Sequence, residues 1–144
     1  ESANLLDSGV QVGVRQSRQV TGIVTLTTQD VLDAKKWDTA ITRSAWPIER
    51  HIGEKPELVW VQDDYYEVPL ESLIPLEGEG LIVAGRCLSA DSAAMASARV
   101  TAQCFNYGEA AGLTAAESIS RNQDIRAVNR KQIADQVQRT WPQI

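Results

Sequence analysis

The chain has 144 residues, with 14 Lys and Arg against 19 Asp and Glu, a formal net charge of −5 and 43% apolar residues. That is one ordinary domain with material for a sizeable core, so wholesale disorder is excluded. The acidic balance argues against a general nucleic-acid binder, and no apolar run approaches the roughly 18 residues that a membrane-spanning helix needs.

Three segments follow one another: a β-rich segment (1–80), a strand-loop-helix unit (81–119) and a helical tail (120–144). In the first, Val10, Val12 and Val14 alternate with Gln11, Gly13 and Arg15, which is strand periodicity. Val20 to Leu26 is rich in β-branched residues and predicts a second strand. Thr28 is a plausible N-cap for a short helix that buries Val31, Leu32 and Ala34. Residues 51–80 predict a surface excursion punctuated by Gly53, Pro56, Asp63 and Asp64. Within it, Tyr66, Val68 and Leu70 alternate with Glu67, Pro69 and Glu71, and Pro69 confines that strand to an edge.

Leu81-Ile82-Val83-Ala84 is a continuous apolar run between turn signals, the pattern of a strand buried on both faces in a parallel sheet. Gly85 ends it. An Ala-rich helix is expected over 97–119, with Ser97 as its N-cap. Gly108 and Gly112 lie four apart, and their cost of about 1 kcal/mol each relative to Ala predicts close backbone packing there. Gln103, Asn106 and Glu109 exclude a membrane dimer motif. Ile133, Val137 and Trp141 place a last helix near 129–140. We expect the tail's five basic and two acidic residues to form a solvated face.

The chain has two cysteines, Cys87 and Cys104, and one histidine, His51. No CxxC or HxxxH spacing exists, so no metal site is expected. Apolar surroundings predict free thiols, which fit a reducing compartment.

The start of the 97–119 helix offers unpaired N–H groups and roughly half a positive charge, and Arg99 adds a full one. An anionic group is stabilised at such a place. The sequence Leu-Ile-Val-Ala-Gly-Arg-Cys-Leu-Ser (81–89), then Ser-Ala-Arg-Val-Thr-Ala-Gln-Cys (97–104) and Gly-Glu-Ala-Ala-Gly (108–112), resembles the C-terminal part of a family of FAD-dependent oxidoreductases. These share the FAD/NAD(P)-binding fold of glutathione reductase and fumarate reductase. Gly13-Val14-Arg15-Gln16-Ser17-Arg18 with Gly22 and Asp30-Val31 resembles the family's arginine-rich strand and the turn after it. Tyr65 to Pro69 with Ser72 to Pro75 is similar to its strand entering the flavin-binding core. The likeness spans roughly residues 5–119.

The resemblance implies an α/β chain, a partial FAD/NAD(P)-binding fold whose sheet is packed by the Ala-rich helix, with a β-rich excursion. It implies FAD as cofactor and places Gly85, Arg86, Cys87, Ser97, Arg99, Val100 and Gln103 around it. The strand ending in Ala-Gly-Arg would approach the pyrophosphate and ribityl chain, and the helix would aim its N-terminus at the flavin's pyrimidine edge.

One departure matters. The GxGxxG fingerprint does not occur, and Gly78-Glu79-Gly80 is followed by no helix. The adenosine-binding half is therefore expected upstream or on another chain, which agrees with a start at Glu1 without Met. As catalytic candidates we name Arg15 and Arg18, two cations able to orient an anionic substrate, and His51, whose ordinary pKa lies near neutrality. Each has an alternative as an idle exposed side chain. The expected activity is hydride or electron transfer on a small-molecule substrate, without nucleic-acid or membrane partners. The alternative is an α/β interaction module that binds no cofactor.

Overall fold

The computed structural model of the chain describes residues 7, 9–11, 13–52, 55–61 and 63–141. The architecture is mixed α/β, as expected, and its strands form two two-stranded antiparallel sheets. Helix α1 (Thr28–Leu32) is followed by strands β1 (Ala40–Ser44), β2 (Ile48–Ile52), β3 (Lys55–Val59) and β4 (Tyr66–Pro69). Helices α2 (Ser92–Ala98), α3 (Thr101–Ser120) and α4 (Arg130–Gln138) complete the order.

The N-cap of α1 is Thr27, one residue earlier than the sequence predicts. Asp30, three residues on, closes a capping box: Thr27 N–H donates to Asp30 Oδ2 (2.9 Å), and Asp30 N–H donates to Thr27 Oγ1 (3.1 Å). Val31 is buried, but Leu32 is exposed and the chain turns at Ala34 with φ of 50°.

β1 and β4 pair antiparallel, with a register shift between Ala40 and Thr42. All of β4 is buried, including Glu67 and Pro69, so this part of the 51–80 segment is core and not surface. The Glu67 carboxylate accepts from Trp37 N–H (2.8 Å) and sits 3.4 Å from Arg43 Nε. The excursion proper is the β2–β3 hairpin, whose β3 residues are all exposed. Its turn, including Gly53, lies outside the described residues.

Among the described residues none of three predicted strands forms. Residues 13–21 have no regular structure, with Val12 outside the described residues, and Val20 to Leu26 contributes only single bridges, Gly22 to Pro75 and Leu26 to Ala90. Leu81 to Ala84 has no regular structure, and Val83 N–H donates to Leu73 O (2.9 Å). Leu81 is 52% exposed. An apolar run becomes a doubly covered strand only where neighbouring strands meet both edges, and none does so among the described residues.

Gly22 is set by crowding. A Cβ there would lie 2.7 Å from Ser89 Cβ, 3.0 Å from Val24 O and 3.1 Å from Glu71 O. The crossing lets Thr25 and Ser89 hydroxyls bond at 2.9 Å, and Leu26 N–H donate to Ser89 O at 3.0 Å.

The predicted 97–119 helix is two helices. Asp91 caps α2, accepting from Ala93 N–H (3.0 Å) and Ala94 N–H (2.9 Å). Ser97 lies in its last turn and is not an N-cap. Val100, extended at φ −72° and ψ 153°, separates α2 from α3. Side chains of α3 take the last α2 carbonyls. Gln103, oriented to satisfy both ends of its amide, donates to Ser97 O (3.0 Å) and Ala98 O (2.9 Å) and accepts from Ser44 Oγ. Tyr107 OH also donates to Ala98 O (3.0 Å).

α3 packs on β1 and α4. Gly108 and Gly112 do not mark close packing here, because a Cβ at either would meet nothing within 4 Å. α4 begins one residue after Asn129, whose side chain caps Gln132 N–H, and it buries Ile133 and Val137. The core runs from Leu26 and Val31 through Ile41, Tyr66, Val68, Leu70, Leu73 and Met95 to Tyr107 and Ile133. No helix among the described residues is long and apolar enough to cross a membrane.

Candidate functional site

Residues 13–18, β2, residues 84–87 and the α2–α3 junction enclose three adjoining cavities. The widest, about 620 Å³, is lined by Arg15, Glu49, Arg50, His51 and Arg99 with small neighbours such as Ala96. A second of about 350 Å³ carries Arg15, Arg18, Arg86 and Cys87. A third of about 290 Å³ meets Arg15, Arg86, Arg99, one carboxylate, Glu49, and the opening residues of α3, Val100 and Thr101. Arg15 lines all three.

The charge distribution singles this surface out. Half of the 14 Lys and Arg hold a carboxylate: Lys35, Lys36, Arg43, Arg121, Arg126, Arg130 and Lys131. Five of the others, Arg15, Arg18, Arg50, Arg86 and Arg99, line the cavities with no carboxylate in ion-pair range among the described residues. In a chain of net charge −5 with 19 carboxylates, that is a concentrated positive surface. Burial first, then the charges of Arg15 and Arg86, pull the Arg99 guanidinium below its usual range, and Glu49 opposes them.

α3 adds to this potential. It is a 20-residue helix whose N-cap, Val100, supplies no side-chain acceptor. Its first N–H groups open at the smallest of the three cavities. The site therefore offers a helix N-terminus flanked by three guanidinium groups, Arg15, Arg86 and Arg99.

The structure distributes the sequence-predicted residues unevenly. Arg15 and His51 come together, with Arg15 Nη1 donating to His51 Nε2, and Glu49 Oε1 lies 3.0 Å from the same nitrogen. Arg18 is on the other side, beside Arg86 and Cys87. Arg86 donates through Nη1 to Val14 O, which ties residues 84–87 to the 13–18 segment. Gly85 has φ of 82°, a conformation that lets Arg86 and Cys87 turn toward the cavity. Both cysteines are free and half-buried, and burial pushes the Cys104 thiol up. Cys87 Sγ donates to Ala84 O (3.3 Å).

Ser97 and Gln103 do not reach the cavities. Ser97 Oγ donates to Trp46 O (2.7 Å) and so accepts from Tyr66 OH (2.7 Å). Gln103 is buried against Ser44 and the end of α2. Their work is to shape the break that places Arg99 and Val100. Sequence reasoning passed over Glu49, Arg50 and Thr101. The alternation of Ile48-Glu49-Arg50-His51-Ile52 held a signal, since it puts Glu49 on the same strand face as His51.

A family model described as FAD dependent oxidoreductase matches residues 1–140. The chain belongs to the FAD-dependent oxidoreductase family. No curated protein and no solved structure matches it.

FAD is the cofactor of this family. The residues present fit such a group in their chemistry: a helix N-terminus without a side-chain cap and arginines that outnumber the one carboxylate there, Glu49, are donors for an electron-rich ring edge and for phosphate oxygens.

Proposed function

We propose that this chain supplies the flavin-side half of a FAD-dependent oxidoreductase, and that an adenosine-binding half with its Gly-rich fingerprint completes the site, on the same or another polypeptide. The observation that carries the reading is the group of five arginines without carboxylate partners around the opening of α3. When bound, FAD supplies hydride or electron transfer. Arg99, Arg86 and the first N–H groups of α3 stabilise negative charge at their cavity. Arg15 orients an anionic group between the cavities, and His51 with Glu49 holds or moves a proton at Nε2.

A specific surface supports the missing half. The outward face of α3 presents Ala102, Phe105, Gly108, Gly112, Ala116 and Ile119 around one exposed carboxylate, Glu109, with Phe105 75% and Ile119 80% exposed. Apolar and small residues on one stripe of a helix are ordinarily covered. In our reading the FAD-binding half covers them, with the glycines admitting close backbone approach. The same face would serve a cofactor-free interaction module, the second reading.

Expression of the chain together with an adenosine-binding half decides between them. The oxidoreductase reading expects a yellow protein that loses flavin when Arg86 or Arg99 is replaced by Ala. A colourless protein that takes up no added FAD overturns it and leaves the interaction module.

A further inference from the structure

Neither cysteine takes part in the chemistry proposed above, and the structure brings both to one peptide bond. Cys87 Sγ donates to Ala84 O (3.3 Å). Cys104 Sγ lies 3.8 Å from the place a Cβ on Gly85 would take. The two thiols thus flank the Ala84-Gly85 peptide, and position 85 carries no side chain to part them. Burial first pushes the Cys104 thiol up. Arg86 opposes that rise and the Cys87 sulfur adds to it, an influence that acts only over a short distance. We infer that Cys87 and Cys104 form a redox-active dithiol, which a hydroperoxide closes to an intramolecular disulfide and a small thiol reopens.

Their roles follow from their placement. Cys87 lines the second cavity together with Arg18 and Arg86, where a small peroxide reaches it. Cys104 lines none of the three cavities. It sits in the first turn of α3, with its N–H donating to Val100 O (3.2 Å) and its thiol to Arg99 O (3.7 Å). Cys87 is therefore oxidised first, and Cys104 resolves it. A disulfide brings the sulfurs to about 2 Å of each other. Residues 81–88 have no helix or strand pairing, and one hydrogen bond, Leu88 N–H to Gly85 O (3.2 Å), closes the turn that holds Cys87. The turn supplies the movement and α3 stays fixed.

The chemistry balances in two steps. Cys87 sulfur attacks the terminal peroxide oxygen, the O–O bond breaks, and the leaving oxygen takes a proton to depart as an alcohol or water. Cys87 is then a sulfenic acid. Cys104 sulfur attacks Cys87 sulfur, the S–O bond breaks as S–S forms, and the hydroxyl leaves as water with the Cys104 proton. Two thiols are oxidised and one hydroperoxide is reduced. The new bond ties the turn carrying Arg86 to the opening of α3, so oxidation fixes the spacing between two walls of the smallest cavity.

Tryptic cleavage after Arg86 and Arg99 places the two cysteines on separate peptides, 87–99 and 100–121. The 144-residue chain is treated with hydrogen peroxide, alkylated and digested. We expect the intact chain to lose two hydrogen atoms, and the two peptides to run as one species that dithiothreitol separates. In Cys104→Ser a sulfenic acid on Cys87 should persist and be trapped by a 1,3-diketone. In Cys87→Ser the remaining thiol should oxidise roughly tenfold more slowly. Absence of the linked pair, linkage between two chains in its place, linkage forming as fast in urea as in the folded chain, or equal oxidation rates for the two single variants overturns the inference.

Discussion

Thr28 donates twice to the Asp91 carboxylate, from its hydroxyl to Oδ1 at 2.7 Å and from its backbone N–H to Oδ2 at 2.5 Å. Asp91 also caps α2, so one carboxylate joins the first turns of two helices 63 residues apart in sequence. Capping deletions cost about 0.5–2 kcal/mol, and here the α2 cap and the two bonds to Thr28 are lost together. Asp91→Ala should therefore destabilise the chain by about 2 kcal/mol in urea unfolding, with no change at the cavities.

The same carboxylate predicts an acid limb. Burial raises the Asp91 carboxyl, but the hydrogen bonds from Ala94, Thr28 and Ala93 outweigh it and hold the native value below the ordinary 3.8. The unfolded chain binds this proton first as pH falls. The stabilisation is thus complete above the ordinary carboxylate range and is lost as pH drops through the lower native value. Stability against pH, measured from pH 5 downward, should fall less steeply in Asp91→Asn than in the parent.

Much of this packing was legible in the sequence, and the site only partly. α4 was readable because Ile133, Val137 and Trp141 keep helical spacing and Asn129 caps them. The Leu81–Ala84 run was misread as a doubly buried strand, because hydrophobicity reports that a segment is to be covered and not by what. The α2–α3 break was invisible for a related reason. No Pro or Gly lies between Ala93 and Thr101 to mark a break. What divides them is Gln103 and Tyr107 reaching back to Ser97 and Ala98 carbonyls. Glu49 and His51 were adjacent in pattern but had no motif to mark them.

Gly22 and Gly108 make a matched pair of opposite sign. Gly22→Ala forces a Cβ to within 2.7 Å of Ser89 Cβ and into two backbone oxygens, so it should destabilise by about 1–3 kcal/mol. Gly108→Ala meets nothing within 4 Å and replaces a helix-interior glycine, so it should stabilise the 144-residue chain by up to about 1 kcal/mol. Thermal melts of the two variants check both. If the proposed FAD-binding half covers the α3 face, Gly108→Leu should leave this chain folded and reduce flavin retention in the completed enzyme.

Arg99 carries the most direct prediction about redox behaviour. It stands between α2 and α3 beside Arg15 and Arg86, with Nη2 3.4 Å from Glu49 O. Its charge adds to the positive end of α3, and both favour the form of a bound ring that has gained electrons. Charges at a helix end contribute about 0.3–1 kcal/mol, rising to about 2 where partly buried, and for a two-electron couple about 1.4 kcal/mol corresponds to roughly 30 mV. Arg99→Ala in the flavin-loaded protein should therefore lower the midpoint potential by about 10–40 mV, with Arg99→Lys recovering part of the difference. Arg139→Ala, an exposed cation at the far end of α4, should leave the potential where it was. A potential equally insensitive to both substitutions would show that the α3 opening does not face the redox centre.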